Sequence, residues 1–389
     1  MLVITRDPAP DVLRGFALWG IVLVNVAYFS SSVDSGVTAD ALANAGDSVA
    51  AFLVLALAQG KFYLIFSFLF GYSSHYVLGS SSGGRRRWWL RGVGLMVLGL
   101  AHASLLFIGD ILFLYGLLGL LLLGLYAQPR RVLIRWGAWI YGVFTALALA
   151  VVALTALAEA QGLSAAVDSS AARAYEAAVV SDNYLTAIPA RVDFWVSEAI
   201  FVVLFQGALT VVAFLAGVLA SRWGALTSSG LSRNQLQKMM GWGLGLGLGL
   251  QVLFAGVWVV TMTSATPSVA LELGAFFGSW VTAPLLSVGY VGLVLTVVRA
   301  RPAALAWLGA MGRMSLTVYL GQSLLLNVIF GGWGLGLYQQ LPYWLAVLVS
   351  IAVTLVLAAV ANLWLRRFRQ GPMEWLLTAW SRLGGPTGR

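Results

Sequence analysis

The sequence predicts an all-α fold, a polytopic membrane bundle of about ten transmembrane helices with both termini cytoplasmic. Three observations predict it. Of 389 residues, 60% are hydrophobic and 10% charged, far outside soluble averages. Ten apolar runs are long enough to cross about 30 Å of hydrocarbon at about 20 residues each. Arginines and lysines collect in alternate connections, the asymmetry that orients membrane helices.

The first run, at roughly 12–31, follows the mixed-charge stretch ITRDPAPDVLR and has no clean small-x-small cleavage site. It reads as an uncleaved helix rather than a signal peptide. The next runs fall at roughly 60–79, 88–108, 110–127 and 132–158, then 199–220, 240–262, 270–298, 304–330 and 343–365. Connections after the second, fourth, sixth and eighth carry Arg85, Arg86 and Arg87, then Arg130 and Arg131, then Arg222, Arg233 and Lys238, then Arg299 and Arg301. Those ends are expected to face the cytoplasm, as is the last, closed by Arg366, Arg367 and Arg369. The opposite connections are acidic, with Asp34, Asp40 and Asp47 after the first span and Glu159, Asp168, Glu176, Asp182, Asp193 and Glu198 after the fifth.

One transmembrane domain therefore accounts for residues 1–389, with an extracytoplasmic helical loop at 159–198 and a cytoplasmic amphipathic tail at 366–389. The loop segment SAAVDSSAARAYEAAV has helical propensity and predicts an outer helical cap rather than a folded domain. The net charge of +9 reports topology and anionic lipid, not nucleic acid. Zero Cys excludes disulfides, thiolate metal sites and a Cys nucleophile. With two His, no metal site is expected. The run GWGLGLGLGL at 241–250 lacks the spacing of a dinucleotide fingerprint, and no strand precedes it. Gly241, Gly245 and Gly249 recur every four residues, which suits helix-on-helix packing.

Polar groups inside hydrocarbon are costly and mark candidate sites. On the first helix Arg14 and Asn25 are eleven residues apart, about three turns and about 16 Å of rise, so they share one face at two depths. Asp11 stands one turn before Arg14, so Arg14 is either a snorkelling interfacial ion pair or a functional cation. Asn25 lies deeper. On the third span His102 follows Arg91 by eleven residues, at a depth matching Asn25. Gly92 and Gly99 lie on its side of the helix, where they permit close packing or leave room for a ligand. His102 is the deep group able to exchange a proton near neutral pH, and a proton-transfer role outweighs simple packing. Asp110, in FIGD, fits an N-cap of the helix that follows. Eight residues of straight helix would hold it about 12 Å from His102, so pairing needs the turn at Gly109 to fold back.

His75 falls near the inner end of the second span, where an interfacial role is expected. Lys61 sits at the outer end of that span, and the apolar stretch 49–58 before it is surplus to one crossing, so a separate interfacial helix covering a pocket is expected. The ninth span, GRMSLTVYLGQSLLLN, sets Ser315, Tyr319, Gln322 and Ser323 at helical spacing, with Asn327 one turn further. With Arg14, Asn25 and His102 this stripe predicts one hydrated cavity crossing much of the bilayer.

The stretches DVLRGFALWGIVLVN, KFYLIFSFLFG, GLAHASLLFIGDILFLYGLLG, GRMSLTVYLGQSLLLNVIFGGWGLGL and LWLRRFRQGPMEWL resemble the YeiB-like family of bacterial membrane proteins, a domain of unknown function, over nearly the whole chain. That family is distantly similar to transmembrane acyltransferases, including the acyltransferase-three and heparan glucosaminide acetyltransferase families. The acyltransferase-three pattern places His where Asn25 stands after Arg14. The glucosaminide acetyltransferase is similar in having Asn there and a His in the following outer loop, whereas residues 32–48 hold none. Either His102 takes over that role, or the scaffold carries no transferase chemistry.

The resemblance implies a bacterial cytoplasmic-membrane enzyme moving an acyl group, acetyl first, from cytoplasmic acyl-CoA to a hydroxyl or amine of an extracytoplasmic, lipid-linked or small secreted acceptor. Under it, His102 is the base, with Asn25 or Tyr319 stabilising the oxyanion and Asp110 beside it. Arg85, Arg86, Arg87 and Arg91, with Arg14 and Arg313, would meet the CoA phosphates, since guanidinium forks match phosphate oxygens. Trp88 and Trp89 could stack on adenine. Lys61, Gln322, Ser323 and Asn327 would line the acceptor path. The expected partners are membrane lipids and the acceptor, with a homodimer left open. The alternative is a transporter or flippase for a small molecule or lipid, coupled to protons through His102. A noncatalytic membrane partner or sensor, binding through 159–198, is the third reading.

Overall fold

The computed structural model describes residues 7–33, 42, 44–79, 83–163 and 169–383. Asp34, Asp40 and Asp168, and the start of the 164–179 stretch, lie outside them. Among the described residues the chain is helical throughout, without strands. Among the described residues seven helical stretches are long and apolar enough to cross a membrane, 9–30, 45–78, 130–160, 184–222, 233–262, 269–300 and 343–364, the second of them in two pieces. This is a helical membrane bundle.

α1 (Ala9–Ser30) runs through the centre, entered through Pro8 and Pro10, whose fixed φ suits a first turn. It packs against the helices that begin at Lys61, Ala306, Ser315 and Tyr343. The surplus stretch before Lys61 is indeed a separate helix, α2 (Ala45–Leu57), whose N-cap Asn44 accepts from the Asp47 amide. Asp47 in turn accepts the Trp344 amide at 2.9 Å, fixing α2 to the start of α14 (Tyr343–Trp364). A turn through Gly60, at φ 80°, leads into α3 (Lys61–Leu78).

α4 (Gly84–Leu105) and α5 (Leu112–Leu125) form a tight hairpin. Gly99 makes it possible: a Cβ there would lie 2.3 Å from the Phe113 amide nitrogen and 2.7 Å from Asp110. The small-residue face of α4 is thus filled by α5 rather than by a ligand. α6 (Arg130–Ala160) is peripheral, with three buried residues and a largely exposed apolar surface that suits lipid. α7 (Ser170–Val179) and the first turns of α8 (Ala187–Arg222) pack together as a small helical cap at one end of the bundle. The cap docks on the 331–342 connection, where the Gly332 amide donates to Val179 at 2.8 Å. The sixth span therefore begins a dozen residues earlier than its apolar run.

α9 (Arg233–Met240) continues through a π-helical stretch, Gly241–Gly247, into α10 (Leu248–Met262). The glycine register differs from the expected one. Gly241, Gly245 and Gly249 face open space, whereas a Cβ on Gly243 or Gly247 would strike the backbone of α11 (Val269–Ala300) at Gly289 or Leu286. Gly243 and Gly247 share the four-residue spacing of Gly241, Gly245 and Gly249, so the period alone does not choose between the two faces; contact with α11 does. Within α11, Pro284 removes a backbone donor. Gln251 and Tyr141 donate to the nearby Ser279 and Val281 carbonyls.

The ninth run is not one helix. α12 (Ala306–Arg313) and α13 (Ser315–Phe330) break at Met314, where φ −112° and ψ 31° leave the helical region. The new N-terminus of α13 is capped from far along the chain, by Glu374 on α15 (Pro372–Ser381). Its Oε1 accepts the Leu316 and Thr317 amides at 2.6 and 3.0 Å, and Oε2 accepts the Thr317 hydroxyl at 2.6 Å. A carboxylate at that end also complements the helix dipole.

Candidate functional site

Folding back of the 106–112 turn brings Asp110 to His102. His102 Nδ1 lies 2.7 Å from Asp110 Oδ2, and both side chains are fully buried. A carboxylate is acceptor-only, so Nδ1 carries the proton and Nε2 is left as the acceptor. Nε2 faces the Ser323 hydroxyl at 2.9 Å, and Ser323 reaches it from α13. The result is a serine–imidazole–carboxylate line inside the bundle, the arrangement that activates a hydroxyl for attack. Asp110 is also the N-cap that FIGD suggested, since Oδ1 accepts the Phe113 amide at 2.8 Å.

Tyr319, one turn before Ser323, packs on His102 with ring centroids 5.0 Å apart, and its hydroxyl is buried without a hydrogen-bond partner. It borders a narrow cavity of about 60 Å³ that runs past Leu95, Leu112, Tyr115 and Leu316 to Arg91 and Ser315. That volume holds about two waters. The expected hydrated cavity through much of the bilayer is replaced by apolar packing below Tyr319. Arg91 is within electrostatic reach of Arg14 and Glu374, and Arg14 pairs with Asp11 at 2.7 Å. Arg85, Arg86, Arg87 and Arg313 are exposed at the same arginine-rich end, with Arg85 donating to the Leu123 carbonyl at the end of α5.

Other expected members sit elsewhere. Asn25 is half-buried and makes no hydrogen bond to the group, because Phe107, stacked on Phe29 of α1 and edge-on to His102, fills that side. Lys61 is fully buried and donates to the Leu55 carbonyl at 2.6 Å, closing the end of α2 rather than facing an acceptor. Gln322 points to Thr354 at 3.0 Å and to the Leu18 carbonyl, so it joins α13 to its neighbours. Trp88 is 2% exposed and donates to the Gly119 carbonyl at 2.7 Å, which leaves Trp89 alone free to stack on a base. His75 is exposed and bonded to Tyr126, in keeping with an interfacial role.

Asn327 does belong, one turn beyond Ser323. Its Nδ2 donates to the Leu106 carbonyl at 2.7 Å, and its Oδ1 accepts from Arg191 at 3.1 Å. Arg191 is the member that sequence reasoning missed. The signal was an arginine in AIPARVDFW, within an acidic stretch yet running straight into an apolar helix.

Residues 220–383 match the family described as a protein of unknown function, DUF418. Over 391 residues the chain is 32% identical to the Bacillus subtilis (strain 168) protein YxaH, covering 94% of this chain and 92% of that one. The chain belongs to the DUF418 family. Within this YeiB-like family it is 28% identical over 392 residues to YeiB of Escherichia coli (strain K12), with 95% of each chain covered. It is also 25% identical over 378 residues to the 39.9 kDa protein in the amylase 3' region of Bacillus acidopullulyticus, covering 94% and 91%. No solved structure matches. The DUF418 match contains Ser323, Tyr319 and Asn327, while His102, Asp110 and Arg191 lie in the preceding part covered by the full-length relatives.

Proposed function

We propose that this DUF418 protein is an acyltransferase of the bacterial cytoplasmic membrane, with about ten spans and both termini inside. It moves an acyl group from cytoplasmic acyl-CoA to a hydroxyl or amine of an acceptor that enters from the cap side. The observation that carries this reading is the buried line Ser323–His102–Asp110 beside an unpartnered tyrosine hydroxyl.

The chemistry follows from the donors present. Asp110 holds the imidazole with Nε2 toward Ser323 and stabilises the imidazolium that forms. His102 takes the Ser323 proton as Oγ attacks the thioester carbonyl, and Tyr319 can donate to the oxyanion. The carbon–sulfur bond breaks, the thiol leaves with the proton from His102, and an ester forms on Ser323. His102 then deprotonates the acceptor as it attacks that ester, and the same proton passes from His102 to Ser323 Oγ as the ester carbon–oxygen bond breaks. Arg91 and Arg14, with exposed Arg85, Arg86, Arg87 and Arg313, meet the donor phosphates at the opposite end. The small cavity suits an acetyl group better than a long chain. A transporter coupled through His102 is less well supported, because both ring nitrogens already have partners inside the chain.

The test is intact-protein mass spectrometry of the purified chain in nanodiscs with acetyl-CoA and no acceptor. An acetyl adduct mapping to Ser323 is expected, absent in Ser323→Ala and His102→Asn and unchanged in His75→Ala. Full turnover by a folded His102→Asn protein would sink the proton-transfer role. Turnover by Ser323→Ala would sink the covalent step.

A further inference from the structure

Arg191 has no part in the acyl-transfer chemistry above, and its surroundings ask for something they do not contain. It stands in the second turn of α8, 1% exposed. Its Nη2 donates to Asn327 at 3.1 Å and the Tyr175 hydroxyl is its other polar neighbour, while Nε and Nη1 are buried without a well-aligned acceptor. No carboxylate among the described residues pairs with it: Asp11 holds Arg14 and Asp110 holds His102. Glu176 on α7 accepts instead from the Ser32 hydroxyl at 2.6 Å and the Val33 amide at 2.7 Å. A buried cation without a counter-charge is strongly disfavoured.

Two aromatic rings and an amide surround it, their own donors already spent, Tyr184 on the Leu105 carbonyl, Asn327 on the Leu106 carbonyl and Trp333 on Asn327, so the free donors are those of Arg191. The Tyr184 ring lies 5.2 Å from the guanidinium carbon and meets Trp333 edge-on at 5.0 Å. Trp333 Nε1 reaches Asn327 Oδ1 at 3.4 Å, and Tyr175 borders the other side. Burial pushes the Tyr175 hydroxyl up to about 12 against the pull of Arg191, so it stays a neutral donor. Asn327 ties the whole to the reaction line, because it follows Ser323 by four residues on α13, about 6 Å along the axis.

We infer that Arg191, with Asn327, Tyr184 and Trp333, forms an oxyanion-binding site that takes the phosphate or carboxylate of the acceptor and sets its hydroxyl or amine beside Ser323. The acceptor is then an anionic molecule, either a phosphate-bearing lipid headgroup or a soluble phosphate or carboxylate. The assignment of this anion as the acceptor's rests on the acyltransferase reading, whereas the anion site itself does not.

The test uses the full chain in phosphatidylcholine nanodiscs, with melting followed as inorganic phosphate is added against sodium chloride at matched ionic strength. Phosphate is expected to raise the midpoint of the wild-type protein. Arg191→Gln should weaken that response about tenfold or more, the value of a charge-assisted hydrogen bond. Arg191→Lys, which keeps the charge but loses the planar donor set, should fall between and serves if the glutamine variant does not fold. A wild-type response no larger than that to chloride overturns the proposal, as does an equal response in either variant. Discs containing phosphatidylglycerol decide the source: a raised midpoint without added phosphate, lost in Arg191→Gln, assigns a lipid headgroup, and a response to free phosphate alone assigns a soluble acceptor. Ser323→Ala should keep the phosphate response. Failure of acetyl transfer with that response intact would sink the enzyme reading and leave the anion site standing.

Discussion

Replacing Asp110 by Asn changes one property of the site while keeping its shape. Asp110 holds two donors at once, His102 Nδ1 at 2.7 Å and the Phe113 amide at 2.8 Å. An Asn carbonyl can still accept from Phe113, so the cap, about 1 kcal/mol, is retained. The second oxygen becomes an amide nitrogen facing Nδ1. That nitrogen donates, so the imidazole proton moves to Nε2, which then donates to Ser323 instead of accepting from it. Exchange of a charge-assisted bond for a neutral one costs about 1–2 kcal/mol of stability. The wrong tautomer costs far more in turnover, about 10⁴-fold in the serine-protease precedent for this substitution. Asp110→Ala, which removes the cap and leaves a buried imidazole N–H unpaired, should lose about 3–5 kcal/mol. Thermal melting in nanodiscs and thiol release from acetyl-CoA read the two effects separately. An Asp110→Asn protein that melts near the wild-type temperature and turns over within about tenfold of it would refute the orienting role.

Three other outcomes follow from the packing and the charge pattern. Gly99→Ala should destabilise the chain by about 2–3 kcal/mol and lower turnover with it, because its Cβ would meet the Phe113 backbone at 2.3 Å and push Asp110 from His102; a neutral melting shift counts against the hairpin geometry. Glu374→Ala should cost about 1–2 kcal/mol by uncapping α13, and Glu374→Gln less, measured by the same melts. Cysteines introduced at 84 and 170 should react from opposite sides of the membrane, and labelling from one side would overturn the span count.

The bundle was legible because each apolar run is its own signal, and most of the expected runs coincide with a helix to within a few residues, the early starts of α8 and of the α9–α10 stretch apart. The break in the ninth was not, since Met314 and Ser315 carry no breaker chemistry and Glu374 supplies the cap from outside the local window. His102 stood out because a titratable group in hydrocarbon needs a reason. Its partnership with Asp110 depended on a turn whose path periodicity does not specify. The polar stripe of α13 read correctly as a stripe, but one residue of rotation separates Ser323, at His102, from Gln322, at Thr354. Arg191 escaped because acidic neighbours made its segment look soluble, although its side chain turns inward.

The cap that Glu374 places on α13 has a consequence in time. Its carboxylate follows the Leu316 amide it holds by 58 residues. During synthesis α13 leaves the ribosome with its first turn uncapped, about 1–2 kcal/mol short of the finished helix, until α15 follows and Glu374 reaches the Leu316 and Thr317 amides.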